Sequence, residues 1–175
     1  MNYRMLRICG GSPDFAQMFY DSNALECMSY SEQLEMFQTE NYTSPSSWTR
    51  CMADLGNDSA DILINFVPLQ QKWCLENNVE IDFSEDEDIW RFQLLCEHVR
   101  AYEPEIILFY SGVCSWFSSD QRAMLRQTFP FVRLIVGYWG DELVGQGSYA
   151  QAFGNMDIMF TSTKLYRDKF TKVGI

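Results

Sequence analysis

Apolar residues along this chain occur in short continuous runs, each followed by a loop of small or polar residues and then by an amphipathic segment. Five such runs predict strands, at residues 4–9, 61–66, 105–110, 132–138 and 157–161. Runs without hydrophobic and polar alternation indicate strands buried on both faces, and helices between them indicate parallel pairing. The expected fold class is therefore α/β: a Rossmann-like three-layer sandwich with a mainly parallel sheet of about five strands and helices on both faces.

The segments between these runs predict helices, from Phe15 onward and at residues 31–40, 46–55, 68–77, 85–102 and 118–129. Ser12 fits the N-cap of the first helix and Pro13 its first position. Ser84 and Glu87 fit a capping box at the start of helix 85–102. The buried stripe expected for that helix consists of Ile89, Phe92, Leu95, Cys96 and Val99.

Size and charge limit the classes of protein that this chain can represent. Its 175 residues suit one domain and are too few for two of ordinary size. Thirteen basic residues face twenty-four acidic ones, and the formal charge of −11 makes nucleic acid an unsuitable partner. The acidic run at residues 80–88 is interpreted as the solvated start of a helix, and no metal site is expected.

The cysteines and the apolar runs indicate a compartment. Six cysteines show no C-x-x-C pair and no zinc-ligand spacing with histidine. No apolar stretch approaches the ~20 residues of a membrane span. The expected location is the reducing cytoplasm, without a membrane span.

Neither a dinucleotide fingerprint nor a histidine-based catalytic site can be built from the sequence. Gly10 and Gly11 follow the first strand, but the pattern departs from G-x-G-x-x-G after two glycines. The single histidine, His98, lies in the middle of a helix, where a packed or surface role is expected. Without it the chain offers no Ser-His-Asp or Cys-His arrangement.

From residue 61 onward the chain resembles the N-terminal region of GT-B-fold glycosyltransferases, especially those related to the spore maturation protein CgeB. Four segments in order carry the resemblance, at residues 65–73, 103–108, 133–139 and 156–174. It implies the acceptor-side half of a nucleotide-sugar-dependent glycosyltransferase. No cofactor is expected in this chain, and the nucleotide sugar is expected as the donor in the full-length enzyme. The implied partners are a carbohydrate or other hydroxyl acceptor and a C-terminal donor-binding domain of the same polypeptide.

The resemblance implies that residues 1–175 form one domain and that the donor-binding domain is absent from it. The strand and helix round that begins at residue 157 is unfinished, so more protein is expected to follow. The isolated chain is therefore not expected to transfer sugar.

The loops at the carboxyl ends of the strands supply the candidate site residues. Asp14 and Asp141 are the candidate general bases for deprotonating an acceptor hydroxyl. Each also fits an ordinary structural role, Asp14 in the first turn of a helix and Asp141 in a polar turn. The residues expected to bind the acceptor are Gly10, Gly11, Ser12, Ser111, Trp116, Tyr138 and Trp139. The three aromatic side chains among them also fit packing roles.

A flavodoxin-like or receiver-like module that binds a small ligand or a partner, without catalysis, is the alternative. The receiver version is disfavoured, because glycines follow the first strand where an acidic pair is needed and Ser111 follows the third where an aspartate is needed. A nicotinamide enzyme is disfavoured because its glycine fingerprint is missing.

Overall fold

Five parallel strands form one sheet in a computed structural model that describes residues 2–23, 25–39, 47–140, 149–172 and 174. The strands are β1 (Arg4–Cys9), β2 (Asp58–Leu63), β3 (Ile106–Tyr110), β4 (Leu134–Trp139) and β5 (Ile158–Thr161). Their order across the sheet is β2-β1-β3-β4-β5, and every neighbouring pair is parallel. The predicted α/β, Rossmann-like sheet is confirmed.

Among the described residues, seven α-helices lie between the strands and an eighth follows β5. They are α1 (Pro13–Ser22), α2 (Tyr30–Thr39), α3 (Ser47–Asp54), α4 (Val67–Asn77), α5 (Glu87–Tyr102), α6 (Ser119–Thr128), α7 (Tyr149–Phe153) and α8 (Lys164–Lys172). A short 3-10 helix, Ser111–Ser115, follows β3 directly.

Side chains of the sheet pack on both of its faces, as the lack of alternation in the sequence predicts. Ile107 and Phe109 belong to the main core, which also contains Leu94 and Leu95 of α5. Leu108 lies between them in sequence and therefore points to the other face, where it packs with Met5 and Val136. A third cluster joins Cys9 and Leu63 to aromatic residues of α1 and α2.

The second strand lies three residues earlier than predicted, at Asp58–Leu63 rather than at 61–66. The whole strand pairs with β1, and its Asp58 and Asp61 form ion pairs with Arg4 and Arg7 of β1. The apolar run continues past the strand, and Phe66 becomes the residue that precedes the first turn of α4.

The predicted capping box of α5 is wrong. Asp86 is the N-cap and its carboxylate accepts from the Asp88 N–H, so the helix begins at Glu87. Ser84 instead donates its hydroxyl to Asp82 Oδ1 at 2.6 Å. Asp86 occupies the N-cap because a carboxylate at this position is stabilised by the helix dipole.

The predicted buried stripe of α5 is only partly right. Leu95 and Val99 are fully buried, but Ile89 is 50% exposed and Cys96 lies at an intermediate position. The buried face also includes Trp90 and Leu94. Apolar residues occur around much of this helix, so their spacing alone did not identify the face that packs.

Candidate functional site

A cleft opens at the carboxyl ends of β1 and β3, which are neighbours in the sheet. From β1 the chain goes to β2 on one side of this pair, whereas from β3 it goes to β4 on the opposite side, so the topological switch point lies between β1 and β3. In open parallel sheets ligands bind at such switch points. The cleft has a volume of about 310 Å³ and is lined by Gly10, Gly11, Ser12, Tyr110, Ser111, Gly112, Val113 and Trp116.

Asn65 holds the wall of the cleft that follows β1. Its Oδ1 accepts from the Gly11 N–H at 3.0 Å, and its Nδ2 donates to the Gly11 carbonyl at 2.8 Å. Asn65 lies just after β2, so the neighbouring strand determines the conformation of this glycine loop. Sequence reasoning did not select Asn65 for the site, although a polar amide inside the apolar run 61–66 was the available signal.

The opposite wall begins with a residue in the left-handed region of backbone space. Ser111 has φ 59° and starts the 3-10 helix that follows β3. A residue other than glycine costs about 1–2 kcal/mol in this conformation. Such local strain is concentrated at functional sites, and here it turns the chain away from the sheet directly beside Gly10.

Trp116 closes the cleft against Gly10. A Cβ atom built at Gly10 would overlap the Trp116 ring and lie 3.1 Å from Val113 Cγ2. Only glycine permits this approach without displacing the indole. The Arg91 guanidinium lies 4.8 Å from the centre of the Trp116 ring, in cation–π geometry, so the ring is held from α5 as well.

The other two predicted aromatic residues lie outside the described lining. Tyr138 stacks on Tyr110 with ring centres 5.1 Å apart and planes 16° apart, so it supports the cleft from the next strand. Trp139 is 2% exposed and packs edge to face against Phe153 at 4.9 Å. It therefore belongs to the core, where no ligand can stack on it.

Of the two carboxylates predicted as bases, only Asp14 lies within the described residues. Asp14 is exposed in the first turn of α1, where the helix dipole favours a negative charge, and it is not part of the described lining. Asp141 lies outside the described residues. Ser12 occupies the predicted N-cap of α1, but its side chain makes no capping hydrogen bond.

A buried ion pair supports the sheet behind the cleft. Arg7 Nε and Nη2 each donate to an oxygen of Asp61 at 2.8 Å, and the two side chains are 0% and 2% exposed. Gln38 and Thr49 also donate to Asp61 Oδ2. Burial disfavours the charge on Arg7, but the hydrogen bonds and charge of Asp61, together with the nearby Cys9 and Tyr110, outweigh this effect and raise the pKa of Arg7. The Arg7 guanidinium lies 5.5 Å from the centre of the Tyr110 ring, which reaches the cleft.

His98 is buried and packed, which is one of the two roles expected for it. Its ring stacks on Trp73 with centres 3.7 Å apart, and its Nε2 lies 2.8 Å from Gln70 Oε1. Because that oxygen accepts, Nε2 carries the proton. Burial lowers the pKa of His98 to about 3, so the ring is neutral near pH 7.

The fold and the cleft define an α/β protein of the Rossmann-like class with an open cleft at its topological switch point. The chain matches no protein-family model, no curated protein and no solved structure. Among the described residues, no helix is both long and apolar enough to pass through a bilayer.

Proposed function

We propose that this chain is the acceptor-side domain of a nucleotide-sugar-dependent glycosyltransferase, and that the β1/β3 cleft receives the acceptor. The proposal is carried by one observation: five residues expected to bind the acceptor, Gly10, Gly11, Ser12, Ser111 and Trp116, line one cleft.

The chemistry of the cleft suits a neutral ligand that carries hydroxyl groups. None of the described lining residues is charged, and together they offer serine hydroxyls, backbone groups and one indole. Hydroxyls donate to and accept from such groups, while an indole packs on the apolar face of a sugar ring.

In this proposal the nucleotide sugar binds to a C-terminal domain of the same polypeptide, and the location is cytoplasmic. Asp14 and Asp141 remain the candidate bases. Replacing the true base in the full-length enzyme should lower kcat by about 10²–10⁴-fold. Unchanged turnover for Asp14→Asn or Asp141→Asn removes that residue from the mechanism.

Saturation-transfer NMR on the isolated chain tests the cleft, with the methyl glycosides of glucose, galactose and N-acetylglucosamine as probes. We expect weak binding that Ser12→Trp abolishes, because Ser12 is an exposed lining residue and the larger side chain fills the cleft. Ser22→Trp is the matched control, because it makes the same change at the exposed far end of α1. Absence of glycoside binding, or equal loss in both variants, would overturn the proposal.

One observation favours a second candidate, a flavodoxin-like module that binds a small ligand. The order β2-β1-β3-β4-β5, with a cleft at the β1/β3 switch point, is the arrangement in which flavodoxin-like proteins bind FMN. Titration with FMN separates the two functions. Quenching of flavin fluorescence that Ser12→Trp abolishes would favour this module over the glycosyltransferase domain.

A further inference from the structure

A second hollow adjoins the β1/β3 cleft and shares Trp116 with it. This hollow has a volume of about 430 Å³ and lies between the starts of α5 and α6, the end of the 3-10 helix, and α7. Residues of the 3-10 helix serve both spaces, because Val113 lines the cleft and Ser115 lines the hollow. Trp116 therefore stands at the boundary between two adjacent spaces.

The walls of the hollow carry groups that bind hydroxyls. Ser115 donates its hydroxyl to the Gly112 carbonyl at 2.8 Å, which leaves its oxygen able to accept. Gln121 is committed to the helix cap, since its Oε1 accepts from the Ser118 N–H at 2.7 Å. These bonds hold the polar wall in place before any ligand arrives.

Asp88 supplies a charged acceptor in the hollow. Among the described residues its carboxylate accepts no hydrogen bond and joins no ion pair, although it lines the space beside Trp116. The nearby cation, Arg91, pairs instead with Glu87, one turn earlier on α5. A carboxylate accepts from two neighbouring hydroxyls at once, and such charge-assisted bonds are about twice as strong as neutral ones.

Contacts on two sides fix the orientation of the Trp116 ring, which borders both the cleft and the hollow. Arg91 lies over its ring at 4.8 Å and is itself only 14% exposed, while Gly10 abuts the far edge of the indole. The ring therefore reaches both spaces without a change of rotamer.

We propose that the hollow is a second sugar subsite, so that the acceptor is a neutral oligosaccharide of at least two units that spans Trp116. The inference rests on the proposed function and adds the class of acceptor to it. One unit occupies the β1/β3 cleft, and the next places its hydroxyls on Asp88. The Asp88 carboxylate and the net charge of −11 disfavour uronic acids and sugar phosphates in this subsite.

The test compares matched pairs of ligands on the isolated chain by saturation-transfer NMR titration. The pairs are methyl glucoside with maltose and with cellobiose, methyl galactoside with lactose, and methyl N-acetylglucosaminide with N,N′-diacetylchitobiose. At least one disaccharide should bind about tenfold more tightly than its methyl monoglycoside. Asp88→Ala should remove that gain and leave the affinity for the monoglycoside unchanged.

Asp120→Ala is the matched control, because Asp120 is also an exposed acidic residue in the first turn of a helix, α6, but does not line the hollow. It should keep the disaccharide gain. The second subsite would be overturned if both members of every pair bound with equal affinity, or if Asp88→Ala and Asp120→Ala lost the disaccharide gain equally. The proposal that the β1/β3 cleft binds a sugar would not be affected by either result. Absence of binding by every ligand would overturn the proposed function itself.

Discussion

The arginine at the centre of β1 and the aspartate opposite it on β2 form the most deeply buried charge pair among the described residues. Breaking such a pair by removing one partner leaves an uncompensated charge in the interior, which costs about 3–5 kcal/mol. Asp61→Ala should therefore lower the free energy of unfolding by about this amount in urea denaturation.

The same two strands supply the control for that measurement. Arg4 pairs with Asp58 at 3.2 Å, but these side chains are 41% and 58% exposed. Water already solvates both charges, so Asp58→Ala should cost about 1 kcal/mol or less. If Asp61→Ala and Asp58→Ala lowered the free energy of unfolding equally, burial would not determine how much an ion pair contributes to stability.

His98 gives the protein a predictable response to acid. Its pKa is about 3 in the folded protein and near 6.5 when the chain unfolds. Between these values the unfolded state binds one proton more than the native state, so the free energy of unfolding falls as the pH is lowered. From pH 6.5 to pH 5 the loss should be about 2 kcal/mol.

Urea denaturation at several pH values, on the wild type and His98→Phe, isolates this effect. The phenyl ring keeps an aromatic surface against Trp73 and removes the titration. The wild type should therefore lose more stability than the variant between pH 6.5 and pH 5. If the free energy of unfolding fell equally with pH in the two proteins, the lowered pKa of His98 would be contradicted.

At the scale of elements, the register of β1 against β2 places several polar residues opposite each other, and the two members of each pair are the same number of residues apart in the sequence. The pairs Arg4 with Asp58, Arg7 with Asp61 and Gly11 with Asn65 are each separated by 54 residues. A slip of one residue would break all three and turn every side chain of β2 to the other face. Polar residues thus specify a register that the continuous apolar runs leave open.

The helix caps of α1 and α6 make a matched pair for a stability measurement. Ser118 accepts from the Gln121 N–H as part of a complete capping box, whereas Ser12 holds the N-cap of α1 without a side-chain hydrogen bond. Ser118→Ala should cost about 1 kcal/mol, and Ser12→Ala only a few tenths. Thermal unfolding followed by circular dichroism measures both. A larger loss of stability for Ser12→Ala than for Ser118→Ala would contradict the conclusion that only Ser118 stabilises its helix through a side-chain hydrogen bond.

At the scale of the whole molecule, the sequence was sufficient for the sheet and for part of the cleft. Unbroken apolar runs predict buried parallel strands, and parallel strands bring their following loops to one edge, so Gly10 and Ser111 could be selected together. The roles of Asn65 and Arg91 were not predicted. Each contacts a residue in a distant segment of the chain, and neither propensity nor spacing identifies such a contact.

The pairing of Asn65 with Gly11 has a consequence for the kinetics of ligand binding. A glycine loop that samples many conformations loses entropy when a ligand orders it, and that loss weakens affinity. Here two hydrogen bonds from one amide already order the backbone at Gly11. Ligand association at this edge of the sheet should therefore proceed in one step, without a slow rearrangement of the loop that follows β1.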